Sequence, residues 1–167
     1  PETVQGRENE KERLEKLKTE STASQNLFVH GPRGTGKTHA VKSVLNDVDR
    51  ECYVSCTEKD TQYKALKQIL RELGENIGDG HHTSDLQRMV LEKTELMQTT
   101  VVLDDIDFLL LNDGDDLLYF LSRMNTSNNV DLVMISSNHT GLEPQLEERT
   151  YSSLHPRRIS FEPYTAE

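Results

Sequence analysis

The sequence predicts an α/β domain: a mostly parallel five-stranded sheet between two layers of helices. Three observations predict it. Short apolar runs of strand length alternate with longer segments of helical period, which calls for a parallel sheet wound with right-handed crossovers. Two runs, Val101-Val102-Leu103 and Leu132-Val133-Met134-Ile135, are apolar without alternation, as strands buried on both faces are. Residues 31–38 read GPRGTGKT and fit G-x-x-x-x-G-K-[ST], a glycine loop that joins a strand to a helix.

The elements follow in order. Residues 7–20 are charged, with Leu14 and Leu17 as a thin apolar stripe and Glu12–Lys16 as an i,i+4 pair, so they read as a surface helix docked by one edge. Ser21-Thr22-Ala23-Ser24 is a polar linker. Residues 1–24 are therefore expected as an N-terminal helix and linker, and residues 25–167 as the core. Residues 26–30 form the first strand. Residues 38–45 form the helix after the glycine loop, with Ala40, Val41, Val44 and Leu45 on one face. Cys52-Tyr53-Val54-Ser55-Cys56 is the second strand. A helix over 60–73 carries Tyr63, Leu66, Ile69, Leu70 and Leu73 on one face, and Gly74 stops it. Residues 75–82 are a loop. Ser84 with Gln87 suggests a capping box for a helix over 84–97, with Leu86, Met89 and Val90 inward. Val101–Leu103 is the third strand. A helix over 114–125 follows, apolar at Leu117, Leu118, Phe120, Leu121 and Met124. Residues 132–135 and 159–161 are the last two strands.

Length and composition bound the rest. A chain of 167 residues is long enough for one domain with a real core. Hydrophobic residues are 34% and charged residues 29%, so a small core lies under a heavily charged surface. The net charge of −10 works against whole-surface steering toward nucleic acid. Contact with DNA would need a local basic patch or a part of the protein outside this chain. Cys52 and Cys56, four positions apart on one strand, are not placed to bridge, which suggests reduced thiols and a cytosolic setting. No apolar run approaches the ~20 residues of a membrane span, and no signal peptide is visible. The chain starts at Pro1 without a methionine and is expected to be a piece of something longer.

Three stretches carry chemistry. The glycine loop is the Walker A pattern: glycines let backbone N–H groups turn around a phosphate, and the following helix adds its positive dipole end. Gly34, Thr35, Gly36, Lys37, Thr38 and His39 are expected around an ATP or ADP. Lys37 would reach the β- and γ-phosphates and the Thr38 hydroxyl would sit on Mg²⁺. Val101-Val102-Leu103-Asp104-Asp105 is a Walker B pattern, an apolar strand ending in acids. Asp104 would hold Mg²⁺, and Asp105 stands where an acid orients the attacking water. Many such ATPases carry Glu there; Asp is one methylene shorter. Ile135-Ser136-Ser137-Asn138 ends a buried strand in an amide, and Asn138 is placed to sense the γ-phosphate. Lys37, Asp105 and Asn138 are thus the catalytic candidates. Arg149, Arg157 and Arg158 are candidates for an arginine finger toward a neighbouring subunit, though each alone reads as solvated charge. His81-His82 reads as a solvent loop.

Taken as an ordered set, these stretches resemble the AAA+ ATPases, a branch of the P-loop NTPases with a three-layer α/β/α core. Within them the chain is most similar to the archaeal initiator family, relatives of the eukaryotic origin recognition complex and its licensing ATPase. Gly6-Arg7-Glu8, Tyr53-Val54-Ser55-Cys56, Leu103-Asp104-Asp105-Ile106-Asp107, Gly114-Asp115-Asp116-Leu117-Leu118-Tyr119, Ile135-Ser136-Ser137-Asn138 and Phe161-Glu162-Pro163-Tyr164 carry the likeness. It covers nearly the whole chain. The resemblance implies an ATP/ADP switch that recognises origin DNA and helps load the replicative helicase, as a homo- or hetero-oligomer at the nucleoid. It implies that Tyr164 packs near the adenine and that residues 70–88 hold an initiator-specific insertion that touches DNA, with Lys64, Lys67 and Arg71 nearby. It also implies a helical lid and a winged-helix domain beyond Glu167. The chain departs from the family at Asp105, where Glu is usual, which implies slow hydrolysis. It departs again at Ser153, where eukaryotic relatives often carry the finger arginine in a Ser-Arg pair. Two alternatives stay open: another AAA+ ATPase, clamp-loader-like or a transposition helper, and a non-hydrolysing paralogue.

Overall fold

The computed structural model describes residues 12, 26–45, 50–95, 97–127, 130–137 and 143–161. Five strands, β1 (Asn26–His30), β2 (Glu51–Ser55), β3 (Thr99–Asp104), β4 (Val130–Ser136) and β5 (Arg157–Ser160), form one sheet in the order β2-β3-β4-β1-β5. Every pairing is parallel. The helices are α1 (Lys37–Val44), α2 (Gln62–Glu72), α3 (Thr83–Thr94), α4 (Ile106–Leu110), α5 (Gly114–Ser127) and α6 (Glu148–Leu154). This is the parallel α/β architecture that the alternation of patterns predicts.

Strand alternation sorts the core into two layers. Leu27, Val29, Val102, Val133, Ile135 and Ile159 point to one face, where Ala40, Val41 and Val44 of α1 cover them. Phe28, Val54, Val101, Leu103, Leu132 and Met134 point to the other, against Leu66 and Ile69 of α2, Leu86 of α3, Ile106 of α4 and Leu117 of α5. The register Val101↔Leu132, Val102↔Val133 and Leu103↔Met134 keeps like faces together across the centre of the sheet. All six residues of β3 are buried, so no polar face interrupts the run. Burying each such Val or Leu stabilises by about 1.5–3 kcal/mol. A one-residue slip would exchange the two faces.

Several boundaries differ from the sequence reading. The helix expected over 84–97 ends at Thr94, and its box is set two residues earlier: the His82 N–H donates to Asp85 Oδ2 at 3.0 Å. Ser84 and Gln87 both fall inside the helix, and Gln87 Nε2 donates instead to Gln62 Oε1 at 2.8 Å. The fifth strand runs over 157–160 rather than 159–161: Arg157 and Arg158 pair with Leu27 and Phe28 of β1, but being exposed at the sheet edge they carry no apolar signal. Phe161 still donates its N–H to His30 O at 2.7 Å. Two helices, α4 and α6, were not expected, since five and seven residues are too few to show a period. At the opposite edge, the Tyr53 N–H donates to Glu72 Oε1 at 3.2 Å, which covers a donor that β2 leaves unpaired.

Cys52 and Cys56 are free and buried. Burial pushes the Cys52 thiol up to about 12 and raises that of Cys56 as well, so both act as small apolar side chains. The helix expected over 7–20 and the boundary at 24/25 lie outside the described residues, Glu12 apart, which is helical and exposed.

Candidate nucleotide site

The loop after β1 is built on backbone conformations that side chains resist. Gly34 and Gly36 have φ of 78° and 82°, and Gly36 is the residue from which α1 starts. Gly31 has φ 151°, and a Cβ there would stand 2.2 Å from Phe161 O. The Gly31 N–H donates to Ser136 O at 3.2 Å, which ties the loop to the end of β4. Thr35 Oγ1 donates to Pro32 O at 2.7 Å and so braces the loop from inside.

Lys37 lies within this curve. Its ammonium donates to Gly31 O at 2.7 Å and Pro32 O at 2.8 Å, with Thr35 Oγ1 at 3.4 Å. The residue is buried. Desolvation lowers its pKa, and the charges of Asp105 and Asp104 oppose that shift. The next residue, Thr38, donates its hydroxyl to Asp104 Oδ2 at 2.9 Å.

Asp104 ends β3 and is buried at 6% exposure. The same Oδ2 accepts the Tyr53 hydroxyl at 2.5 Å. Burial and this hydrogen bond raise the phenol's pKa, so Tyr53 stays a donor throughout the physiological range. Asp105 follows in the left-handed region, φ 56° and ψ 50°. Asp and Asn tolerate that region better than most residues. Burial, then the neighbouring charge of Asp104, raises the Asp105 pKa; Arg33 and Lys37 pull it back. Asp107 turns the other way. It accepts the Ser136 hydroxyl at 2.8 and 2.9 Å and the Ser137 N–H at 3.3 Å, pinning the end of β4 to α4.

A cleft of about 300 Å³ opens at the carboxyl ends of β1, β3 and β4, where parallel α/β sheets take their ligands. Gly34, Gly36, Lys37, Thr38, His39, Asp104 and Asp105 line it together. Thr35 does not; it stays behind the loop as its brace. Arg33 and Ser137 also line the cleft, and sequence reasoning gives neither of them a role of its own. Arg33 stands inside the motif at an unspecified position, so the pattern gives it no weight. Asn138 and Tyr164 lie outside the described residues.

The donor set suits a hard cation. Thr38 gives its one proton to Asp104 and keeps two lone pairs, while Oδ1 of Asp104 takes no hydrogen bond among the described residues. No group of three or more His, Cys, Asp or Glu gathers anywhere among the described residues. One hydroxyl and one carboxylate beside a phosphate loop suit Mg²⁺, which typically takes one or two protein oxygens and completes its shell with water and phosphate.

The other basic candidates are engaged locally. Arg149 meets Glu147 at 3.2 Å and Asp116 at 3.6 Å, and lies 4.5 Å over the Tyr119 ring. Arg158 donates to the Tyr151 hydroxyl at 2.9 Å, and Arg157 is exposed on β5. Ser153 pairs with Ser122 at 2.7 Å. In residues 70–88, which the resemblance implies touch DNA, Arg88 meets Asp85, and nearby Lys64 meets Asp60 and Lys67 meets Asp79, so much of the local positive charge is already balanced. His82 serves as the start of α3.

The Asp107 tie makes a prediction. Asp107→Ala removes charge-assisted bonds to Ser136 and Ser137 and costs about 2 kcal/mol, a fall in melting temperature of roughly 5 °C. Thermal denaturation checks it; a loss below about 0.5 kcal/mol would place the change among ordinary surface substitutions.

Comparison with known proteins follows the same lines. Residues 20–146 match the family model described as "AAA domain". The ORC1-type DNA replication protein 1 of Sulfolobus acidocaldarius is 32% identical over 183 residues, which cover 100% of this chain and 46% of that protein. Its namesake from Methanothermobacter thermautotrophicus is 33% identical over 158 residues, 84% of this chain and 40% of that protein. The chain thus spans less than half of these relatives. Among solved structures, the Aeropyrum pernix Orc1 protein in complex with DNA superposes with a TM-score of 0.85 at 29% identity, covering 99% of this chain and 47% of that one. Pyrobaculum aerophilum Cdc6p gives 0.81 over 99% of this chain and 47% of that one; at 19% identity it speaks to the fold alone. No helix among the described residues is long and apolar enough to cross a membrane.

Proposed function

Since the chain belongs to the AAA ATPase family and is of the archaeal origin-recognition type, we propose that it is the nucleotide-switched core of a DNA replication initiator. It binds ATP and ADP with Mg²⁺, hydrolyses ATP slowly, and passes the state of its cleft to origin DNA and to helicase loading. One observation carries this reading: Lys37 and Thr38 from one stretch, and Asp104 and Asp105 from another some 66 positions on, line one cleft.

Each residue has a role in it. Lys37 exchanges two neutral carbonyl acceptors for anionic phosphate oxygens, so the attraction of opposite charges adds to its hydrogen bonds. Thr38 and Asp104 hold the metal, which neutralises phosphate charge when bound. The N–H groups of the loop and of the first turn of α1 face the phosphates. Asp105 orients the attacking water. Asn138 senses the γ-phosphate and Tyr164 packs on adenine. With a net charge of −10 and paired cations on α2, origin DNA is met mainly by parts outside this chain.

Asp105 sets the rate. Its side chain is short, and its left-handed backbone fits Asp better than Glu. Asp105→Glu raises the turnover number in a phosphate-release assay if reach is limiting; an unchanged or lower rate favours the second reading, a non-hydrolysing switch. Asp105→Asn stops hydrolysis, keeps nucleotide, and raises the melting temperature at neutral pH. The sign follows from the raised pKa. The native charged form is penalised above that pKa, so the gain from Asn is full at neutral pH. It fades as pH falls below the raised pKa and is gone below the ordinary carboxylate value. A melting difference that grew on acidification would contradict this. Salt-dependent DNA binding by the full-length protein separates an initiator from a clamp-loader-like machine.

A further inference from the structure

Tyr53 is tied to the metal-binding acid more closely than a strand residue needs to be. It sits on β2 beside β3, opposite Val102, with Ser55 opposite Asp104. Its hydroxyl and that of Thr38 both donate to one oxygen, Asp104 Oδ2. Its ring lies under Lys42, whose ammonium is 3.9 Å from the centroid. Thr38 and Lys42 are one turn apart on α1, so they share a face. One reaches Asp104 directly; the other reaches it through the ring of Tyr53. Helix α1 and strands β2 and β3 thus converge on a single carboxylate.

We propose that Tyr53 is a positioning residue for the divalent cation, fixing the rotation of the Asp104 carboxylate so that Oδ1 is presented in one orientation. The inference rests on the reading above, in which Thr38 and Asp104 hold Mg²⁺. The terminal torsion of an aspartate is broad and roughly two-fold. A single hydroxyl donor leaves the group free to swing; a second donor on the same oxygen, from a ring clamped between a cation and the α1-side core, removes that freedom. Partners that orient a ligand in this way typically change metal affinity 10–100-fold when removed.

The test titrates Mg²⁺ against the binding of a fluorescent non-hydrolysable ATP analogue, for wild type, Tyr53→Phe and Lys42→Met, with a parallel series in EDTA. Tyr53→Phe is expected to need about tenfold more Mg²⁺ for half of its effect. Lys42→Met is expected to shift the same midpoint in the same direction by less. Affinity for the analogue in EDTA should stay within twofold of wild type for both, a readout that a mere structural brace would not separate from the first. An unchanged Mg²⁺ midpoint for Tyr53→Phe overturns the inference while leaving the nucleotide site intact. So does an equal loss of affinity with and without the metal. If the wild type fails to bind the analogue, or binds it indifferently to Mg²⁺, the nucleotide-site reading falls and takes this inference with it.

Discussion

Lys37→Ala loses nucleotide. The ammonium is replaced by nothing that can meet a phosphate, and two or more charge-assisted hydrogen bonds disappear. At about 3 kcal/mol, affinity falls on the order of a hundredfold. The fold should survive. Lys37 is buried against neutral carbonyls at a desolvation cost that lowers its pKa, so removing the charge also removes that cost. The variant is therefore expected to melt near wild type without nucleotide. With ligand at 100 times the dissociation constant, the wild type gains about 2.7 kcal/mol and the variant almost none. Thermal shift with and without ATP reads both halves. A variant that kept the wild-type shift would remove Lys37 from the site.

Gly31→Ala breaks the fold rather than the chemistry. The added Cβ meets Phe161 O at 2.2 Å and Phe161 C and Cβ at 3.1 Å. None of these atoms can move cheaply. The Phe161 N–H is held by His30 O, and its ring is buried in the α1-side core. The φ of 151° adds strain of its own. A loss of about 3 kcal/mol or more is expected, at the upper end of overpacking costs. Gly34→Ala is the control. Its φ of 78° is also unfavourable, but nothing lies within 4 Å, so it costs only the backbone term, about 1–2 kcal/mol. Urea denaturation should show both as midpoint shifts at constant slope. Equal losses would mean that the packing of β5 against the loop contributes nothing.

The sheet was readable because its signals are local. A run such as Val101–Leu103 needs no partner to announce a buried strand, and GPRGTGKT brings its own strand and helix. Asp104 and Asp105 were readable for the same reason: they end an apolar run. What was not readable depends on distant pairs. Nothing in Tyr53's neighbourhood in sequence points to Asp104, 51 positions away, and nothing in Asp107 points to Ser136, 29 positions away. Helix α4 escaped because five residues show no period, and the start of β5 because its two exposed arginines carry no apolar signal. The Thr35 hydroxyl turns inward to Pro32, a direction that the motif does not specify. The left-handed Asp105 is a further case, since a backbone angle leaves no pattern in the neighbouring residues.

A crystal structure with a non-hydrolysable ATP analogue and Mn²⁺, whose anomalous signal locates the ion, tests the central claim most directly. The expected result has the phosphates inside the loop of residues 31–38, the Lys37 ammonium moved from the Gly31 and Pro32 carbonyls onto phosphate oxygens, and the ion beside Thr38 and Asp104. An ammonium still on those two carbonyls, with the analogue bound elsewhere and the ion away from Asp104, would contradict it.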